Sequence, residues 1–273
     1  MIVPTPLSGR PIVITGASSG IGYATALACA RAGMPVGVMA RRADRLDELA
    51  SRIRAAGGRA FTHVGAVEDA SACAELVDRC RTEFGSVYAV FANAGYSIEQ
   101  CVQDMSDEAL RRMFEVNFYG SLNVIRPALA LMRPAGAGHV LWCSSCLSKV
   151  SLPRYAAYCA TKACQDHFAR ALRLELRGSG IFSSSIHPVS TRTEIWDNIS
   201  RDSPGGASLI DRSRTSGAHP PQRVASAVVS CLHRPRGEVW LSTPMRLVIA
   251  LGVASPSLAD AVIDRMARRR AGR

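Results

Sequence analysis

The sequence alternates between short, continuously apolar runs and longer segments with helical periodicity. The runs PIVITG (11–16) and PVGVMA (35–40) are each followed by such a helical segment. Four further pairs of this kind and a last strand can be traced to about residue 242. Strands that are apolar on both faces are typical of a parallel sheet that helices cover on both sides. The pattern predicts one α/β domain over residues 1–273, with a Rossmann-like, doubly wound parallel sheet of about seven strands.

The cysteines indicate where the protein is located. There are nine, an odd number, and they are scattered among mostly apolar neighbours. Together with an N-terminus that lacks the pattern of a secretory signal, they predict reduced thiols and a cytoplasmic location.

The C-terminal extension, about 243–273, contains the apolar run LVIALGVA (247–254). It is far shorter than the ~20 residues of a transmembrane span, so we predict no transmembrane segment and an ordinary buried segment here. Docking on a membrane surface or a partner is the alternative interpretation.

The chain is basic, with 33 Lys and Arg against 22 Asp and Glu, a net charge of +11. Such an excess fits an acidic ligand, a nucleic acid or an anionic membrane surface. Part of it is a group of arginines near the C-terminus, and charge runs of this kind more commonly form a solvated surface. We therefore expect no nucleic-acid partner and leave a peripheral membrane contact open.

A glycine turn, ITGASSGIG (14–22), follows the first strand and begins a helix. Gly16 allows the chain to reverse, and Gly20 and Gly22 allow a pyrophosphate to approach the N–H groups of the helix N-terminus. Ser18, Ser19 and Ile21 belong to the same turn. The context of strand, turn and helix predicts a dinucleotide site.

Arg41 and Arg42 indicate which dinucleotide binds. NAD sites place a carboxylate after the second strand to bond the ribose hydroxyls, whereas these two arginines stand there instead. A guanidinium matches a 2′-phosphate. We predict NADP(H) rather than NAD(H), with Arg41 as the main phosphate partner; the alternative is that both are surface arginines that begin a helix.

Tyr158 and Lys162 are four residues apart, which places them on one face of a predicted helix. A nearby ammonium lowers the pKa of a phenol from its usual value of about 10. The pair therefore predicts a general acid and base. Taken alone, the spacing is also that of a core tyrosine and a surface lysine.

The segment WCSSC (142–146) has the Trp-Cys-x-x-Cys pattern of thioredoxin-like proteins. Thiol chemistry requires an exposed cysteine of lowered pKa at a helix N-terminus, whereas this segment is predicted to be the end of a buried strand. A metal site lacks a second pair of ligands. Ser145 is therefore the residue of this segment that we expect to be functional.

Taken together, these motifs resemble the short-chain dehydrogenase/reductase family over about residues 8–242. The glycine turn has the spacing Thr-Gly-x-x-x-Gly-x-Gly, and the later matches occur in the family's order. They are NAG (Asn93, Ala94, Gly95), Asn117, Ser145, Tyr-x-x-x-Lys (Tyr158, Lys162), and a segment after the sixth strand that contains Pro188, Val189, Thr191 and Thr193.

The resemblance implies a role for each catalytic residue. Tyr158 exchanges a proton with the substrate oxygen as hydride is transferred, and Lys162 also bonds the nicotinamide ribose. Ser145 orients the substrate oxygen, and Asn117 holds a water that links Lys162 to solvent. The cofactor-binding residues implied, besides Tyr158 and Lys162, are those of the glycine turn and of the 93–95 and 188–193 segments, with Arg41 and Arg42.

Two positions depart from the family pattern. Ala66 stands where an Asp usually lies near the adenine, and Val189 stands where a Gly usually follows the proline. An apolar pocket for a hydrophobic ketone or secondary alcohol is predicted from Leu147, Leu152, Val189 and Trp196. The polar segment at about 191–217 is predicted to be a lid, with a disordered segment as the alternative. Arg154 is interpreted as a solvated arginine on the rim.

The resemblance implies an enzyme, an NADP-dependent oxidoreductase, that forms a dimer or tetramer and acts on a small-molecule carbonyl or alcohol. No metal site is predicted. The alternative function is a catalytically silent scaffold that binds nucleotide and an anionic partner. The presence of Asn117, Ser145, Tyr158 and Lys162 argues against it.

Overall fold

All of the predicted strands are present in the computed structural model, which describes residues 4–192 and 218–271, with side chains to residue 265. They form one parallel sheet in the order β3-β2-β1-β4-β5-β6-β7, which confirms the predicted fold class. The strands are β1 (Ile12–Thr15), β2 (Val36–Ala40), β3 (Ala60–Val64), β4 (Ala89–Ala92), β5 (Gly138–Cys143), β6 (Ile181–His187) and β7 (Glu238–Trp240).

Helices connect the strands and cover both faces of the sheet. They are α1 (Gly20–Arg31), α2 (Ala43–Ala55), α3 (Ala70–Phe84), α4 (Asp107–Phe114), α5 (Gly120–Ala135), α6 (Ala156–Glu175), α7 (Pro221–His233), α8 (Thr243–Ala254) and α9 (Pro256–Ala271). A π-helical turn, Glu115–Tyr119, joins α4 to α5 in one continuous helical segment.

Alternation along each strand divides the core in two. Ile12 and Ile14 pack with α1, α2 and α7, whereas Val13 between them packs with α3, α5 and α6. Because successive side chains of a strand point to opposite faces, a strand buried on both faces must be apolar throughout. This is why continuous apolar runs predicted the sheet correctly.

The strand order reverses between β1 and β4, which lie side by side although β2 and β3 separate them in sequence. In open α/β sheets, ligands bind outside the carboxyl ends of the strands at such a reversal. The glycine turn after β1 and the Asn93 segment after β4 meet at this point. The topology therefore places the predicted site residues at one edge of the sheet.

Two predictions about segments need correction. The apolar run 247–254 is not buried: it forms most of α8, in which Ile249 is the one buried residue. The run was predicted to be buried because it is apolar, but no described element covers it. Strand β5 ends at Cys143, so Ser145 follows the strand at the start of a short 3₁₀ turn, Cys146–Ser148, rather than ending the strand.

Candidate active site

A cleft of about 550 Å³ opens at the carboxyl edge of the sheet. Of the predicted site residues, Gly22 and Asn117 do not line it, and Thr193 lies outside the described residues, as do Trp196 and most of the predicted lid. The predicted residues that line it are Gly16, Ser18, Ser19, Gly20, Ile21, Arg41, Arg42, Asn93, Ala94, Gly95, Ser145, Tyr158, Lys162, Pro188, Val189 and Thr191.

The glycine turn is shaped for close approach of a ligand. Gly16 has a positive φ of 65°, and a Cβ there would lie 2.8 Å from Ala94 Cα. A Cβ on Gly22 would collide with the Gly16 carbonyl oxygen. Within the described chain, the side chain of Ser19 does not cap α1 and the first turn has no acidic residue. The N–H groups of this helix end fit the pyrophosphate of a dinucleotide.

The segment after β4 holds the turn in place. The side-chain amide of Asn93 donates to the Thr15 carbonyl oxygen at 3.0 Å, and the Asn93 backbone N–H donates to Thr15 Oγ1 at 3.1 Å. These bonds connect the ends of β1 and β4, and they fix the floor of the cleft.

Arg41 and Arg42 are exposed at the end of β2, next to the glycine turn. The Arg42 guanidinium donates to Ser18 Oγ at 3.0 Å, and so reaches the turn from the second strand. Ala66 lies on the cleft wall between Gly65 and Val67. This end of the cleft carries two positive charges, as the sequence predicted.

Ser145, Tyr158 and Lys162 converge at the other end of the cleft. The Ser145 hydroxyl lies close enough to the Tyr158 hydroxyl to act against the rise in the pKa of the phenol, and Lys162 Nζ lies 5.6 Å from the centroid of the Tyr158 ring. Ser145 reaches this position because it begins the 3₁₀ turn, where its Oγ accepts from the Leu147 N–H at 3.1 Å. A hydroxyl pair beside an ammonium can bind a carbonyl oxygen and supply a proton to it.

Burial changes the charge state of this group. Burial raises the pKa of the Tyr158 phenol above its ordinary value, against the effect of the Ser145 hydroxyl. It also lowers the pKa of Lys162. The direction for Tyr158 is opposite to the one that the sequence predicted, because desolvation by burial outweighs the effect of Ser145 on the phenol. At neutral pH the phenol therefore holds its proton.

The sequence model of a protein family that is described as short chain dehydrogenase matches residues 10–204 of this chain. The chain belongs to the short-chain dehydrogenase/reductase family. It is therefore an oxidoreductase, of a family whose members bind NAD or NADP.

Similar proteins of known sequence agree with this family assignment. The chain is 30% identical to the uncharacterized oxidoreductase Lin0452 of Listeria innocua, over 84% of this chain and 92% of that protein. It is 32% identical to glycine betaine reductase ATRR of Emericella nidulans over 84% of this chain, but spans only 18% of that much longer protein.

Solved structures of the family have the same fold. A short-chain dehydrogenase/reductase of Burkholderia phymatum in complex with NAD superposes with a TM-score of 0.85 and is 24% identical, covering 93% of this chain and 96% of that one. An alcohol dehydrogenase of Thermococcus sibiricus complexed with 5-hydroxy-NADP has a TM-score of 0.73 and is 28% identical, covering 84% and 94%. One neighbour thus holds NAD and the other an NADP derivative.

Gln165 is a residue of the dehydrogenase site that the sequence analysis missed. It is fully buried on α6. Its Oε1 accepts from Lys162 Nζ at 3.0 Å, and its Nε2 donates to the Asn117 carbonyl oxygen at 2.6 Å. Ser121 Oγ also donates to this carbonyl oxygen, at 2.8 Å. Since a carbonyl oxygen has two lone pairs, its acceptor capacity is filled by these protein groups.

The oxygen and the nitrogen of the Asn117 side chain also have hydrogen-bond partners within the protein. Its Oδ1 accepts from the Tyr96 N–H at 2.9 Å, and its Nδ2 donates to the Tyr96 carbonyl oxygen at 2.9 Å and to Thr161 Oγ1 at 3.1 Å. Gln165 connects Lys162 to the Asn117 carbonyl oxygen. The water that the resemblance implies, held by Asn117 and linking Lys162 to solvent, stays a prediction.

His187 is a second residue whose contacts the sequence did not predict. Its Nδ1 lies 3.0 Å from the Ser145 carbonyl oxygen, and its ring stacks on Trp240 at 4.4 Å. Its Nε2 lies 3.4 Å from Asp166 Oδ1. The histidine therefore supports the turn that carries Ser145 from behind.

Lys149 completes a charged cluster with Asp166, His187 and Glu238. The carboxylates and the imidazole lie close enough together to hold a metal ion. However, Lys149 Nζ already contacts Asp166 Oδ2 at 2.6 Å and Glu238 Oε1 at 3.1 Å. The positive charge between the carboxylates is thus supplied by the chain itself.

Three predictions about the rim and the thiols can be compared with the structure. Arg154 is not simply solvated: its guanidinium lies 3.1 Å from a carboxylate oxygen of the buried Glu99, which also accepts from the Tyr155 hydroxyl at 2.9 Å. Leu147 and Val189 line the cleft, whereas Leu152 does not. Cys143 lies in the buried end of β5, and burial raises the pKa of its thiol, which argues against thiol–disulfide chemistry.

Proposed function

We propose that the protein interconverts a carbonyl and a secondary alcohol with NADP(H), and that Tyr158 is the proton donor and acceptor. The observation that carries the proposal is the convergence of the Ser145 and Tyr158 hydroxyls beside Lys162, at one end of a cleft whose other end fits a dinucleotide. The dinucleotide supplies hydride chemistry when bound. The residues of this chain supply the oxygen site and the proton.

The chemistry at the oxygen follows from these groups. The hydroxyls of Ser145 and Tyr158 donate to the carbonyl oxygen and hold it in place. As the oxygen gains negative charge, Tyr158 transfers its proton to it, and the resulting phenolate is stabilised by Lys162 and by the Ser145 hydroxyl. The raised pKa of Tyr158 means that the phenol carries the proton that carbonyl reduction requires.

Gln165 acts in this proposal as a positioning residue. Lys162 Nζ donates to Gln165 Oε1 and, at 2.8 Å, to the Cys143 carbonyl oxygen. An amide does not titrate near neutral pH, so it holds the ammonium without competing for its proton. Through this bond, the buried network of Asn117, Ser121 and Gln165 fixes the position of Lys162.

NADP(H) is proposed over NAD(H) because of Arg41 and Arg42. Both residues are exposed and line the cleft, and the Arg42 guanidinium donates to Ser18 of the glycine turn. A 2′-phosphate there would gain two positive neighbours, whereas ribose hydroxyls would find no carboxylate at these two positions.

The proposed substrate is apolar near its carbonyl. The cleft is lined by Leu147, Val189 and Val116, together with Tyr96 and Tyr155. Arg154, which was predicted to lie on the rim, faces the carboxylate of Glu99, whereas the exposed Arg112 lines the cleft. The apolar part of the lining supports a hydrophobic substrate.

The substitution Tyr158→Phe tests the proposal. It removes the hydroxyl and keeps the ring, so NADPH binding should be preserved while carbonyl reduction falls by at least about 1,000-fold, a loss typical of a general acid. A panel of hydrophobic ketones, followed by NADPH absorbance, gives the rates, and NADPH fluorescence gives the binding. The matched control is Tyr119→Phe, at an exposed tyrosine away from the cleft. Near-normal turnover in Tyr158→Phe would refute the mechanism.

A further inference from the structure

Helix α8 is apolar on nearly all sides and yet is exposed. Leu247, Val248 and Leu251 are 60%, 63% and 66% exposed, and Val253 is 53% exposed. In water, a helix that is apolar all round is normally buried in a protein core or in lipid. The exposure of this helix therefore requires an explanation outside the described chain.

The exposed surface continues onto α9, where Leu258 and Val262 are 60% and 50% exposed. We call these residues, with Met245 and the four of α8, the apolar hairpin. Its seven members are half of the fourteen large apolar residues that are exposed in the described chain. Contiguous patches of this kind mark interaction sites, whereas single exposed apolar residues do not.

The geometry of the apolar hairpin favours lying on a surface over crossing a bilayer. Of the described helices, none is alone long and apolar enough to cross a membrane, and α8 and α9 meet the criterion only as a pair bent by 118°. A helix of the length of α8 extends about 18 Å, whereas the hydrocarbon core measures about 30 Å. Bent and short, the pair can bury its apolar side chains at the level of the lipid headgroups.

The charge of residues 243–273 indicates what kind of surface the apolar hairpin contacts. The sequence from 243 to 273 contains six arginines, Arg246, Arg265, Arg268, Arg269, Arg270 and Arg273, against Asp260 and Asp264. A second copy of a chain with a net charge of +11 would bring like charges together around the hairpin. An anionic bilayer would accept both the apolar side chains and the arginines.

We propose that the apolar hairpin docks the protein on the surface of a bilayer that contains anionic phospholipids. The hairpin lies next to the segment that leads from Ser145 to Tyr158: a Cβ built on Gly252 would lie 3.9 Å from Val150 Cγ1. Docking thus places the bilayer beside a wall of the cleft. The docking does not depend on the proposed reaction, because it is measured as binding without turnover.

The test uses the full chain and sedimentation with vesicles of phosphatidylcholine alone or mixed with phosphatidylglycerol. We expect binding to the mixed vesicles that weakens as salt is added, and little binding to the neutral ones. In Leu247→Gln/Leu251→Gln, binding should fall by about tenfold or more, because two large side chains no longer enter the bilayer. Arg246→Gln/Arg265→Gln should weaken binding by about thirtyfold, since each of the two arginines near the surface contributes about 1 kcal/mol.

The matched control is Val64→Gln/Leu174→Gln, which alters two similarly exposed apolar residues outside the hairpin and should leave vesicle binding unchanged. Circular dichroism verifies that each variant is folded. The proposal is overturned if the native chain stays in the supernatant with anionic vesicles at low salt, or if Leu247→Gln/Leu251→Gln binds as tightly as the native chain.

Sedimentation velocity tests the competing explanation, in which a second copy of the chain covers the apolar hairpin. An oligomer that dissociates in Leu247→Gln/Leu251→Gln, without any vesicle binding by the native chain, would assign the hairpin to contacts between copies and refute docking on lipid. Vesicle binding that needs the hairpin supports the proposal even if no reductase activity is ever found.

Discussion

At the scale of single residues, the dehydrogenase site depends on groups that motifs reveal and on one that they do not. Tyr158 and Lys162 are recognisable because four residues bring two side chains to the same helix face. Gln165 is three residues further along the same helix, but its partners Asn117 and Ser121 lie far away in sequence. Helical spacing does not indicate such partners, so the sequence analysis passed over it.

The role of Gln165 can be tested by two substitutions. Gln165→Leu keeps a similar volume and removes the hydrogen bonds with Lys162, Asn117 and Ser121. We expect kcat to fall about tenfold, which corresponds to about 1.4 kcal/mol. KM should change less, because Gln165 does not line the cleft. Gln165→Glu keeps an oxygen acceptor for Lys162, so its loss should be smaller.

The pH profile separates positioning from general structural support. A carboxylate at 165 titrates and an amide does not, so Gln165→Glu should add an ionisation to the pH dependence of kcat that the native protein lacks. Steady-state kinetics from acid to alkaline pH measure this. Identical kcat values and profiles in all three proteins would mean that Lys162 does not need Gln165.

At the scale of elements, the cluster around Lys149 joins the turn after β5 to α6 and β7. The ammonium and hydrogen bonds lower the pKa of Asp166 and of Glu238 despite partial burial, and the two carboxylates raise the pKa of Lys149. The carboxylates therefore contribute stability above their unfolded pKa values of about 4, and lose it as pH falls through their lower folded values. The contribution of Lys149 is present below its unfolded pKa and is lost at alkaline pH.

We predict that Lys149→Met destabilises the fold by about 2–3 kcal/mol at neutral pH, because two partly buried carboxylates then face each other without a cation. Below about pH 4, where the carboxylates of the unfolded chain are protonated, the difference between variant and native protein should narrow. Urea unfolding at several pH values measures it. The control is Lys149→Arg, which keeps the charge; an equal loss in both variants at every pH would point to packing and not to charge.

The secondary-structure elements also show which features could be predicted from the sequence and which could not. The strands were found because burial on both faces leaves continuous apolar runs, and the glycine turn because close approach needs glycine. Helix α8 was predicted to be buried for the same compositional reason, and it is exposed. Composition reports how apolar a segment is; whether another element covers it depends on the tertiary arrangement.

At the scale of the whole molecule, cofactor choice should appear in the stability of the fold. A ligand that binds the folded state at about 100 times its Kd adds about 2.7 kcal/mol. For a domain of this size, that corresponds to an increase in Tm of about 5–10 °C. We expect NADP⁺ to give such a shift, and NAD⁺ at the same concentration to give a clearly smaller one.

The variant Arg41→Ala/Arg42→Ala should remove most of this difference, since the 2′-phosphate then loses its cationic neighbours. Arg31→Ala, at an exposed arginine away from the cleft, is the matched control. Differential scanning fluorimetry provides the measurement. Equal shifts with NAD⁺ and NADP⁺ in the native protein would contradict the proposed preference, as would an unchanged NADP⁺ shift in the double variant.

The π-helical turn at Glu115–Tyr119 limits how the length of this chain can vary. Gly120 N–H donates to the Glu115 carbonyl oxygen, so the turn contains one residue more than an α-helical turn would. Removing that residue would turn everything on one side of it by about 100° relative to the other. Asn117 would then lose its hydrogen bonds with both Tyr96 and Gln165. A single deletion here should therefore be far more harmful than one in a surface loop, although it removes no catalytic group.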